Sequence, residues 1–153
     1  MTRVRWVWLV LFAVVLFRTA WLGDDALISL RTVLNVTHGY GLTYNLHERV
    51  QTFTHPLWLA LITSAYWVVG NIFHAAFAVS IVTSLVVFGL VLRAARSATQ
   101  LWIAGGVLLA SRAFVDYSTS GLENPLTALV AIATLAWASR EARGGRWLTG
   151  MWV

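Results

Sequence analysis

The chain has no cysteine, no lysine and only two prolines in 153 residues, and its acidic side chains number six. The absence of cysteine excludes a disulfide framework, a thiolate metal site and thiol chemistry. The scarcity of charge, 11% of residues, against 59% hydrophobic residues and a mean hydropathy of +0.73, excludes an ordinary soluble domain. The basic balance, with a pI near 10.8, does not point to nucleic acid. No basic cluster alternates with exposed aromatics as a nucleic-acid surface requires. All eleven basic residues are arginines, and they stand at the ends of apolar runs, which is a membrane pattern. Nine tryptophans suit interfacial belts, with some left to pack between helices.

What is present is a series of apolar runs, and the expected fold is all-α: a polytopic transmembrane helix bundle. Four runs are read as spans, at 6–22, 75–92, 101–115 and 122–139. The first follows Arg3 and Arg5 as a signal sequence would. Arg18 occupies a position where a cleavage site needs a small residue, so an uncleaved anchor is expected. A fifth run, 56–69, decides the topology. Placed along the outer surface, it leaves Arg3, Arg5, Arg93, Arg96, Arg140, Arg143 and Arg146 inside, opposed only by Glu141. The acids Asp24, Asp25, Glu48, Asp116 and Glu123 then fall outside. Pro56 suits a first helical turn, and a run of this length suits an interfacial helix. The expected arrangement is an inner N-terminus, a long outer loop over 23–73 and a small outer loop near 116–122.

Chemistry concentrates in the first outer loop. Leu27, Leu30, Val33 and Leu34 recur at helical spacing after Asp24 and Asp25, which predicts an amphipathic helix over 24–36. Acids in a first turn meet free amides and the helix dipole. One cap needs one acid, and a repelling pair at the membrane surface also fits a cation, a hydroxyl or a proton to be handled. Both readings stay open on the sequence. Arg31 shares a face with Asp24 two turns on, where it either anchors in lipid headgroups or grips a phosphate. "NLHERVQTFTHPLW" adds His47, Glu48, Arg49 and His55 without the spacing of a zinc site. The second outer loop, "RAFVDYSTSGLEN", carries Arg112 and Asp116 four apart, a surface pair of small energetic weight, and Glu123. Carboxylates from two loops on one side of the membrane make a candidate site.

"DDALISLRTVLNVTHGYGLTYNLHERV", followed by "THPLWLAL" and later by "DYSTSGLEN", resembles the N-terminal part of membrane glycosyltransferases of the C superfamily (GT-C), in particular the terminal arabinofuranosyltransferases of actinobacterial cell walls. Members of that family are several times longer than this chain. The resemblance implies an inverting transferase whose first outer loop carries an aspartate pair and two surface helices. It implies a polyprenyl-phosphate-linked sugar as donor and a cell-envelope glycan as acceptor. Asp24 or Asp25 would be the base, and the other would orient the acceptor or hold a divalent cation, with Asp116 as a further ligand. Arg31, Arg49, Arg112, His55 and Glu123 would bind substrate, Glu123 lying inside the matching "TSGLE". Two rival readings stand beside it: a non-catalytic membrane protein, either transporter-like subunit or scaffold, and an inactive truncated piece of such a transferase.

Overall fold

The computed structural model describes residues 1–48 and 50–143. Arg49 and Arg146 lie outside the described residues, as do the side chains of Arg140, Glu141 and Arg143. The described chain is all-helical: α1 (Thr2–Thr19), α2 (Asp24–Thr37), α3 (Pro56–Val69), α4 (Ile72–Ala94), α5 (Ala98–Ala110), α6 (Arg112–Tyr117) and α7 (Asn124–Arg143).

Helix α4 is the axis of the fold. By length and composition, it is the one described helix that could cross a membrane alone, about 34 Å long for its 23 residues. It divides the core in two. On one side Phe12 of α1 stacks on Phe88 of α4 at 4.4 Å and on Phe114 at 5.5 Å, with Leu16, Leu92 and Leu101 buried around them. Gly105 is required here, because a Cβ would stand 2.7 Å from the Trp8 indole. On the other side Leu30 and Val33 of α2 meet Trp58 and Ile62 of α3, Ala76 of α4 and Leu126 of α7.

Local chemistry sets the helix ends. Pro56 opens α3 behind His55, whose Nδ1 accepts from the Trp58 amide at 3.3 Å, and Gly70 closes it in the left-handed region. Asn71 then caps α4 through the amides of Phe73 and His74. The expected helices over 24–36 and 56–69 are both present. The expected run 101–115 is not one helix. Ser111 breaks it, accepting from the Phe114 amide at 3.3 Å to start α6. The first run also ends early: α1 stops at Thr19, and after a four-residue link α2 leaves at 88° to it. The two pass as one apolar stretch only if taken as a broken pair, and α3, α5 and the apolar part of α7 are short. Many large apolar side chains nonetheless face outward, among them Trp6, Val10 and Phe17 of α1, Trp67 and Val68 of α3, and Leu135 and Trp137 of α7.

Candidate functional site

The loop between α6 and α7 joins the elements that make the site. Ser118, Thr119, Ser120 and Gly121 are all buried. The Ser120 carbonyl accepts from the Gly23 amide at 2.9 Å, which fixes the residue immediately before Asp24. The Gly121 carbonyl accepts from Trp58 Nε1 at 2.9 Å, and the Ser118 carbonyl from Ser84 Oγ at 3.0 Å. Trp21 Nε1 donates to the Asp116 carbonyl at 2.9 Å. Helices α2, α3 and α4 are thus each tied to this one loop. Gly121 has φ +80°, and a Cβ on it would lie 2.6 Å from Leu22 Cδ2 and 2.9 Å from Ala26 Cβ. Only glycine permits that approach to the start of α2.

Where these elements meet is a cleft of about 620 Å³. Asp25 and Ser29 of α2 line one wall, Gln51, Thr52 and Thr54 of the strap before α3 a second, and Glu123 and Asn124 the third. Two carboxylates expected from separate loops therefore share one cleft. Glu123 is held by Thr54, whose Oγ1 donates to its Oε1 at 2.9 Å. The Thr52 hydroxyl is buried without a hydrogen-bond partner among the described residues.

The aspartates do not cap α2. Its N-cap is Gly23, with no side-chain cap hydrogen bond, and neither carboxylate has a partner among the described residues. Both are exposed in the first turn, where the free amides and the helix dipole favour negative charge. Asp25 lines the cleft and Asp24 is not among its lining residues.

The other expected site residues have separate places. Arg31 lies 4.3 Å over the Tyr44 ring, and its Nη2 donates to Asn45 Oδ1 at 3.3 Å. Asn45 in turn donates to Glu48 at 3.0 Å, so Arg31 anchors the loop after α2. His55 is the cap of α3. Arg112 pairs with Asp116 at 3.3 Å on an almost fully solvated side chain, and neither lines the cleft. Among the described residues no three of His, Cys, Asp and Glu come together, so Asp24, Asp25 and Asp116 do not assemble as a cation site. Asp116 is turned to Arg112 instead. Thr52 and Thr54 had no sequence signal beyond their place just before the Pro56 turn.

Comparison with known proteins bears on the same region. The chain is 34% identical over 140 residues to the terminal β-(1→2)-arabinofuranosyltransferase of Mycobacterium tuberculosis. That alignment takes in 84% of this chain and 22% of the enzyme's length. No protein-family profile matches the chain, and no solved structure matches it. The similarity supports kinship with a glycosyltransferase, and the chain spans 22% of that enzyme's length.

Proposed function

We propose that this chain forms the donor- and acceptor-facing part of a membrane glycosyltransferase, in which the acidic cleft is the transfer site. The observation that carries this reading is the meeting of Asp25 and Glu123, from two distant motifs, on one cleft. The similarity to an arabinofuranosyltransferase supports the reaction class. In the proposed setting α4 crosses the bilayer, and α1, α7 and α5 continued by α6 are embedded beside it as the other three spans, with an inner N-terminus. The outward apolar side chains and the 88° turn into α2 support this. Helices α2 and α3 then lie at the outer surface, and the protein resides in the cell membrane with its active loops outside the cytoplasm.

The donor is a sugar on a polyprenyl phosphate, arabinofuranose in the form nearest the relative, and the acceptor is a glycan hydroxyl of the cell envelope. Asp25 takes the acceptor proton as the hydroxyl oxygen bonds to the anomeric carbon. The bond from that carbon to the phosphate oxygen breaks, the anomeric centre inverts, and the polyprenyl phosphate leaves with the electron pair. A positioned base of this kind contributes about 10²–10⁴-fold. Glu123, with one oxygen held by Thr54, offers the other to acceptor hydroxyls, and Thr52 offers its unpartnered hydroxyl. Arg31, six residues after Asp25 and so about 120° from it around α2, lies outside the cleft lining and contributes by holding the loop after α2 through Tyr44 and Asn45. The test is transfer from a lipid-linked sugar by Asp25→Asn against Asp24→Asn in the protein that carries this sequence.

A further inference from the structure

A second groove lies far from the acidic cleft, between the start of α1 and the end of α4. Two adjoining cavities, of about 500 and 420 Å³, share Trp6, Leu9 and Val86. One is walled almost wholly by carbon, continuing along Val10, Ala13 and Val82. The other is lined by Arg5 and Arg93. Gly89 keeps its wall open, since a Cβ there would already touch Leu9 at 3.7 Å.

The charges in this groove are unbalanced. Arg5 donates from Nη2 to the Ala95 carbonyl at 3.1 Å, while its Nε is buried without a hydrogen-bond partner among the described residues. Arg93 is exposed and has no hydrogen bond or ion pair among the described residues. Neither α1 nor the stretch 72–110 contains an acid. Two guanidinium groups at one end of a carbon-walled groove match an anion that carries an apolar chain. A free anion would leave the carbon walls uncovered. Arginine is suited to a phosphate because its planar fork can meet two oxygens at once.

We propose that this groove binds an anionic phospholipid, with its phosphate at Arg5 and Arg93 and one acyl chain along Leu9, Ala13 and Val82. The proposal rests on the membrane reading above but not on the transfer chemistry. The site is at the opposite end of α1 from Asp25, and in the proposed topology it opens to the cytoplasmic leaflet. There it would fix the tilt of α1 against α4 through a lipid that the acidic cleft never sees.

The experiment is native mass spectrometry of the detergent-solubilised protein, titrated with dioleoyl phosphatidylglycerol or dioleoyl phosphatidylcholine, which differ only in headgroup. The parent should retain phosphatidylglycerol preferentially. Arg93→Gln should lower that retention about fivefold, the weight of one arginine near an anionic surface, and leave phosphatidylcholine unchanged. Arg93 is the variant of choice because Arg5 also holds the Ala95 carbonyl. Gly89→Leu, filling the wall, should lower retention of both lipids while circular dichroism stays that of the parent. Equal retention of the two lipids by the parent, or no effect of Arg93→Gln, overturns the proposal. So does displacement of phosphatidylglycerol by millimolar inorganic phosphate, which would mark a site for a free anion. A protein that fractionates as soluble without detergent overturns the membrane reading itself. A membrane-inserted protein that retains neither lipid overturns the groove alone.

Discussion

Replacing Gly121 by Ala tests whether the α6–α7 loop holds the start of α2 in place. Two costs are expected. The residue has φ +80°, and an L side chain in that region costs about 1–2 kcal/mol. The new methyl would also meet Leu22 Cδ2 at 2.6 Å and Ala26 Cβ at 2.9 Å, overpacking of about 1–3 kcal/mol. The total is about 2–5 kcal/mol, before any loss at the Gly121 carbonyl that Trp58 uses. Gly41→Ala is the internal control. Gly41 has φ +84° and nothing within 4 Å of a built Cβ, so it carries the backbone strain without the clash. Unfolding of both variants in mixed micelles by SDS titration, followed by circular dichroism, should separate them by about 1–3 kcal/mol. If the two variants agree within about 0.5 kcal/mol, Gly121 is an ordinary turn glycine and the packing argument fails.

Three further outcomes follow from the same structure. Trp58→Phe keeps the ring in the core but strands the buried Gly121 carbonyl, and should cost about 1–3 kcal/mol in the same titration; no loss would mean that water replaces the indole. Arg31→Lys should cost up to about 1 kcal/mol in the same titration, because Lys keeps the charge but loses the fork to Asn45 and the stacking on Tyr44; parental stability would mean that the loop after α2 holds without that contact. Single cysteines at the exposed positions Leu42 and Thr99 of this cysteine-free chain should react with an impermeant thiol reagent in intact cells at Leu42 and not at Thr99; the reverse pattern would invert the proposed topology.

Much of this arrangement was legible in the sequence because it rests on local signals. The Asp24 start of α2 and the Pro56 start of α3 announce themselves through acids in a first turn, a proline at a first helical position and periodicity, whereas α4 begins at Ile72, three residues before the expected 75. The interruption at Ser111 did not, since a single serine inside an apolar run reads as part of a span until its hydroxyl is seen on the Phe114 amide. The early end of α1 has a tertiary setting: the link after Thr19 is met by Trp21 reaching Asp116 and Gly23 reaching Ser120, contacts some 95 residues apart. The two acidic motifs stand out in the sequence, and the expected topology puts them on one side of the membrane; the cleft they share depends on where the loop between α6 and α7 sits. Which aspartate faces that cleft was beyond periodicity, because adjacent residues at a helix start differ by only about 100° around the axis. The grip of Thr54 on Glu123 needed the strap before α3 to be placed in space.

The most direct test of the central claim is the rate of sugar transfer from a polyprenyl-phosphate donor to a glycan acceptor by Asp25→Asn and Asp24→Asn, each measured beside its thermal stability. Asp25 lines the cleft with Glu123 and has no hydrogen-bond partner among the described residues, so Asp25→Asn should lower turnover by about 10²-fold or more with stability unchanged. Asp24→Asn should be the milder of the two. Equal and mild losses of activity, accompanied by lower stability in both variants, would reduce the pair to acids favouring a helix dipole and contradict the assignment of the cleft as the transfer site.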